Sequence, residues 1–224
     1  MSGAADRLPI VVLISGNGSN LRAIASQAET GTLPVEIRAV VSDRADAPGL
    51  AWAAAAGLRT AVVPARAYQD RADFDAALAA EVERHAPALV VLAGFMRVLG
   101  AGFVDRYAGR LLNIHPSLLP RHRGLHTHRR ALEAGDTVHG ASVHFVTPEL
   151  DGGPVVLQAR VPVRSGDDEA SLAARVLAWE HRIYPECIGW FATGRLAWRA
   201  GTVLLDGRVL DAPVVREARD ELAA

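Results

Sequence analysis

Leu8-Pro9-Ile10-Val11-Val12-Leu13-Ile14-Ser15-Gly16-Asn17-Gly18-Ser19-Asn20 runs from an apolar segment of strand length, through a glycine loop, into a helical stretch from Asn20 to about Glu29. A strand whose residues are apolar without alternation is buried on both faces, which is the habit of parallel sheets covered by helices. The same sequence of elements then repeats. Val35 to Val41 is predicted as a second strand, Ala47 to Ala56 as an alanine-rich helix closed by Gly57, and Thr60 to Val63 as a short third strand. Asp70 to His85 carries Phe74, Leu78 and Val82 at helical spacing, and Ala88 to Ala93 and Arg110 to Ile114 are two more strands. This alternation predicts an α/β fold with a mostly parallel sheet and helices on both faces.

After residue 135 the pattern changes. Val138 to Val146 and Val155 to Val163 are β-rich and joined by a loop ending in Asp151-Gly152-Gly153-Pro154, so an antiparallel extension at the sheet edge is expected. Asp167 or Asp168 can cap a helix running to about Arg182, where Tyr184-Pro185 is expected to stop it. Ala197 to Leu205 and Arg208 to Leu210 flank Asp206-Gly207, a hairpin signal, and the polar tail after Pro213 is expected to fray.

The 224 residues are half hydrophobic, enough for one sizeable core. The formal charge of −1 gives no general attraction to nucleic acid or to an anionic membrane. All 24 basic side chains are arginine, which excludes lysine Schiff bases and the lysine of a P-loop. Cys187 is the single cysteine, so no internal disulfide forms, and its neighbours Ile188, Trp190 and Phe191 predict a buried thiol. The segment Leu8 to Ile14 is too short for a membrane span, and a cytoplasmic location is expected.

In the glycine loop, Gly16 and Gly18 permit positive φ and close approach of a ligand. Ser19 or Asn20 can cap the helix, whose free N–H groups and dipole suit an anion; a plain tight turn is the alternative reading. Leu21 stands where a dinucleotide fingerprint wants a third glycine, although Asp43 loosely meets its acidic position. A single terminal phosphate therefore fits better than a pyrophosphate.

Leu111-Leu112-Asn113-Ile114-His115-Pro116 places a carboxamide and an imidazole two residues apart on a strand that Pro116 ends. Alternation sends both to one face, a pairing suited to a carbonyl that becomes an oxyanion. Asp151 is a carboxylate whose loop can fold over that strand end, and a carboxylate beside an imidazole favours the imidazolium. Six of the eight histidines lie between His115 and His144 (His122, His126, His128 and His139 among them), yet His126-Thr127-His128 lacks a familiar ligand spacing, and no metal is expected.

With these elements placed, the chain resembles the phosphoribosylglycinamide formyltransferase family, folate-dependent enzymes of purine synthesis. The likeness runs from Ile10 to about Trp198. It is carried by Val12 to Leu21, Val91-Leu92-Ala93-Gly94-Phe95-Met96-Arg97, Leu111 to Pro120, Gly124 to His128, Ser142 to Thr147 and Leu150 to Pro154. The resemblance implies a Rossmann-like formyltransferase fold: a mostly parallel twisted sheet with helices on both faces and an antiparallel C-terminal extension. It implies one domain over residues 1–224, with a phosphate-binding half over about 8–110, a catalytic and folate half over about 111–200, and a hairpin and tail over 201–224. The implied catalytic residues are Asn113, His115 and Asp151. Gly16, Asn17, Gly18, Ser19 and Asn20 would hold the ribonucleotide phosphate, and Glu180, which alone would read as a solvated helix face, would contact the glycinamide. Arg71, Met96, Arg97, Val98, Leu99, Thr147, Pro148, Glu149 and Leu150, with Asn113 and Asp151, match the folate-binding positions.

The implied reaction moves the formyl group of 10-formyltetrahydrofolate, a co-substrate, to the amine of the glycinamide ribonucleotide. The implied partners are small molecules only, for a monomer or homodimer. A formyltetrahydrofolate hydrolase using the same three residues is the alternative, although that family carries an additional N-terminal regulatory domain. Two departures stand out. His122, in Arg121-His122-Arg123-Gly124, takes the place of a usual aromatic residue, and Pro148 takes that of a residue that is often acidic.

Overall fold

The structure, a computed structural model, describes residues 7–199 and 201–218. In chain order the elements are β1 (Leu8–Ile14), α1 (Ser19–Glu29), β2 (Val35–Ser42), α2 (Pro48–Ala55), β3 (Thr60–Val62), α3 (Arg71–Glu83), β4 (Leu89–Leu92), α4 (Ala101–Arg106) and β5 (Leu111–His115). There follow α5 (Thr127–Glu133), β6 (Val138–Phe145), β7 (Val155–Pro162), α6 (Glu169–Ala192), β8 (Leu196–Arg199), β9 (Thr202–Leu205), β10 (Arg208–Val209) and β11 (Val214–Glu217). Among the described residues, eight strands form the main sheet in the order β11-β7-β6-β5-β4-β1-β2-β3. The pairs from β3 to β5 are parallel, β6 is antiparallel to both β5 and β7, and β11 is parallel to β7. Among the described strands of that sheet β6 is thus the one that is reversed.

Alternation along β1 distributes the core. Ile10, Val12 and Ile14 pack with Leu21 and Ile24 of α1, Leu50 of α2 and Val176 and Tyr184 of α6. Val11 and Leu13 point the other way, onto Phe74 and Leu78 of α3 and Phe103 of α4. Full burial of each such side chain contributes about 1.5–3 kcal/mol, so both layers hold the sheet edge from which the loops project.

Three sequence expectations change. α6 does not stop at Tyr184-Pro185 but continues through Pro185 to Ala192. Proline costs a helix interior about 3 kcal/mol, and here burial of Tyr184, Cys187, Ile188 and Trp190 around it offsets that cost. The segment after Pro213 does not fray over Val214–Glu217; it adds to the edge of β7, where the strand's unpaired backbone groups find partners. The remainder of that predicted tail, 219–224, lies outside the described residues. The long run Ala197 to Leu205 folds back on itself as β8 and β9, and Asp206-Gly207, both at positive φ, turns β9 into β10 as expected of a two-residue hairpin.

Candidate active site

The ends of β1, β4 and β5 meet where the strand order reverses, since β2 and β3 lie on one side of β1 and β4 and β5 on the other. Open α/β sheets bind ligands at the carboxyl ends of their strands at such a point. The loops there are tied together: Ser15 N–H donates to the Gly94 carbonyl at 3.1 Å, and Met96 N–H donates to Ser15 Oγ at 2.9 Å.

The glycine loop enters α1 through Gly18 at φ +69°, with no side chain capping the helix. The expected caps are therefore absent: Ser19 is the first helical residue, and neither Ser19 nor Asn20 caps the N–H groups of the first turn. Gly18 is required twice over, for its φ and because a Cβ there would lie 2.9 Å from Gly49 Cα. Asn17 is exposed at the loop tip and Asn20 is buried. Asn20 Nδ2 donates to Glu180 Oε2 at 2.7 Å. Glu180, far from a solvated helix face, is buried on α6, and burial pushes its carboxyl above the usual range despite the Asn20 hydrogen bond. Two positions 160 apart in sequence thus meet beside the loop. Asp43 does not project as a ribose acceptor; its Oδ2 takes the Arg97 guanidinium at 3.0 Å.

Asn113 and His115 share the face of β5 opposite Leu112 and Ile114, as alternation requires. Register places Asn113 opposite His144 and His115 opposite Ser142 on β6. Burial lowers the His144 pKa to about 4, so its ring is neutral near pH 7. Its Nδ1–H donates to the Phe145 carbonyl at 2.9 Å, which leaves Nε2 to accept from Asn113 Nδ2 at 3.0 Å. This network fixes the Asn113 amide with its nitrogen toward β6 and one N–H to spare. His144 had no role from sequence; its place two residues after Ser142, across from the Asn-x-His pair, was the available signal.

Asp151 sits at φ +48° in the turn before β7. Its Oδ2 lies 3.5 Å from His115 Nδ1, and its Oδ1 lies 3.8 Å from His144 Nε2. Gly124 N–H donates to Asp151 Oδ2 at 2.8 Å. Gly153, two residues after Asp151, is obligatory, because a Cβ there would fall 1.9 Å from the Phe145 carbonyl oxygen. His115 Nε2 points at the His122 carbonyl at 3.0 Å, so both ring nitrogens face an acceptor. Asn113, His115 and Asp151 therefore converge, half-buried to buried, at one strand end.

Arg97, Val98, Leu99 and the segment Thr147, Pro148, Glu149, Leu150 and Asp151 line a single cleft with Asn113 and His144. Met96 is exposed beside it rather than in its wall. Arg71 is also outside that wall: from α3 it donates to the Leu99 carbonyl and lies 3.8 Å from the buried Asp75. Its place comes from the packing of α3 on α4, which no local motif reports. Cys187 is fully buried, and burial raises its thiol pKa beyond any nucleophilic use near neutrality. His139 Nε2 and His128 Nδ1 lie 3.2 Å apart, and burial lowers both pKa values, that of His139 to about 4. Among the described residues no three His, Cys, Asp or Glu side chains are grouped to hold a metal ion, and no helix is long and apolar enough to cross a membrane.

Residues 8–188 match the formyl transferase family. The chain is 57% identical to phosphoribosylglycinamide formyltransferase of Escherichia coli K12 over 201 residues, which is 90% of this chain and 95% of that protein. It is 43% identical to the human trifunctional purine biosynthetic protein adenosine-3, over 83% of this chain and 18% of that longer protein. Among solved structures, the phosphoribosylglycinamide formyltransferase of Coxiella burnetii, in complex with CHES, superposes with a TM-score of 0.89 at 51% identity, over 93% of this chain and 98% of that one.

Proposed function

This chain belongs to the formyl transferase family, and from that membership we infer that it is the enzyme that moves the formyl group of 10-formyltetrahydrofolate to the amine of N1-(5-phospho-D-ribosyl)glycinamide. The products are the N-formyl ribonucleotide of purine synthesis and tetrahydrofolate. The observation that carries the residue roles is the convergence of Asn113, His115 and Asp151 at the end of β5.

In this reading the neutral amine attacks the formyl carbon, forming the new C–N bond and an oxyanion. The spare Asn113 N–H stabilises that charge together with the His115 Nε2–H, which the oxyanion shares with the His122 carbonyl, and Asp151 orients the imidazole from Nδ1. Collapse of the adduct breaks the bond to N10 of the folate, and the proton that the attacking amine gives up passes to N10, which leaves as a neutral amine. The folate lies in the cleft of Arg97, Val98, Leu99 and the 147–151 loop. The ribonucleotide phosphate sits on Gly16 to Asn20, and the buried Asn20–Glu180 pair faces its glycinamide. β4 alone separates β1 from β5, so the two sites lie roughly 10 Å apart, a span that a ribose and its glycinamide cover.

Tetrahydrofolate release measured with and without the ribonucleotide tests the assignment. Release should require the ribonucleotide, and equal release without it would make the chain a hydrolase. His115→Ala and Asn113→Ala should each lower turnover about a hundred- to a thousandfold. Near-normal turnover by His115→Ala with the natural donor would remove His115 from the mechanism.

A further inference from the structure

The loop between β5 and α5 touches the site at both ends of the His115–Asp151 pair. The His122 carbonyl meets His115 Nε2 at 3.0 Å, and Gly124 N–H meets Asp151 Oδ2 at 2.8 Å. The direction of that carbonyl depends on His122 holding φ +52°, a left-handed conformation that a histidine leaves readily unless its surroundings prevent it. What prevents it is its own side chain, whose Nε2 lies 2.7 Å from Asp136 Oδ2. The Arg121 guanidinium takes the other oxygen of the same carboxylate.

Asp136 is a firm anchor. Its side chain is 5% exposed, and its backbone N–H caps the end of α5 through the Ala131 carbonyl at 3.0 Å. Burial pushes its carboxyl up, but the hydrogen bond and charge of His122 and Arg121 together carry it below the usual range, so it is ionised across the neutral region. Ser117 Oγ, donating to the Arg121 carbonyl at 2.7 Å, pins the start of the same segment.

We propose that Asp136 is a positioning residue for the formyl transfer: through the His122 side chain it holds the His122 carbonyl on His115 Nε2 and so sets the plane of the catalytic imidazole. Asp136 touches no reacting atom. The inference rests on the reading of His115 as the catalytic imidazole, and its test has a readout independent of turnover.

The experiment is ¹⁵N-histidine NMR of the intact chain beside steady-state kinetics, with the His115 ring signals assigned by their loss in His115→Gln. In Asp136→Ala the His115 Nε2 signal should move toward that of a free imidazole. Turnover should fall about ten- to a hundredfold, with KM for both substrates within about threefold of the parent. Asp136→Asn, whose side-chain oxygen still accepts from His122, should recover most of that loss. His122→Phe keeps the ring volume but not the N–H, and should repeat the Asp136→Ala result, which serves the test where the alanine variant does not fold. An unmoved His115 signal in a folded variant overturns the proposal, as does a rise confined to KM, or an Asp136→Asn variant no better than the alanine. Normal turnover in His115→Ala would instead defeat the assignment of the site, while the NMR comparison would still report on the anchor.

Discussion

The glycine cradle and the Asn113–His115–Asp151 constellation share one sheet edge but are built in opposite ways. The cradle is a single contiguous segment, Ser15 to Asn20, whose shape follows from a strand end, two glycines and a helix start. The constellation takes its members from β5 and the turn before β7, is steered by β6, and is braced by the loop before α5. A local site fails when its own backbone is strained. An assembled site fails when any one of its supports moves, so its function is spread over residues that never meet substrate.

That contrast can be broken at several points. The largest effect belongs to the assembled site: His115→Ala and Asn113→Ala, at about a hundred- to a thousandfold in turnover, should leave the affinity for the ribonucleotide phosphate nearly intact. Equal losses in kcat and in phosphate affinity would mean that the two sites are one unit. Gly18→Ala strains the cradle by about 1–2 kcal/mol through its left-handed backbone alone, with the approach to Gly49 added to it. Its KM for the ribonucleotide should rise about tenfold while kcat changes much less, and a kcat loss at unchanged KM would place the loop in the chemistry instead.

The pH dependence of stability sharpens the assembled side. His144 has its pKa lowered in the folded state to about 4, so between there and the ordinary histidine value the unfolded chain binds the extra proton. Stability from this group is present above about 6.5 and is lost as pH falls toward 4, on the order of 3 kcal/mol at most. His139 is lowered for the same reason, desolvation, and acts over the same window. Chemical denaturation of His144→Gln should show a shallower acid limb than the parent, and an unchanged limb would mean that His144 is not held neutral. The smallest effect is expected at the Arg123–Glu149 pair, which joins the two loops over the cleft while both side chains remain substantially exposed. Arg123→Ala should alter stability by no more than about 1 kcal/mol, with any change in folate KM vanishing at high salt.

Much of the architecture was legible because it is written in short-range periodicity. Continuous apolar runs mark β1 and β4, and two residues are enough to read the Asp206-Gly207 turn. The failures share one cause. Pro185 is a strong local stop signal, yet α6 runs through it because the residues around it are buried beneath the sheet. Val214–Glu217 has no strand signature of its own and becomes β11 because β7 offers it an open edge. Within the site, Asn113 and His115 could be read from one strand, whereas His144, His122 and Asp136 are significant only through partners on other elements.

By itself the chain's order of residues determined the layered α/β plan, the glycine turn into α1 and the two polar side chains on one face of β5, because each depends on contacts within a few positions. Tertiary structure alone decided that Glu180 lies beside Asn20, that Arg71 supports Leu99 from outside the cleft, and that His144 orients the amide of Asn113. Those are contacts between distant segments, and they exist only once burial of both faces of the sheet has brought the segments together.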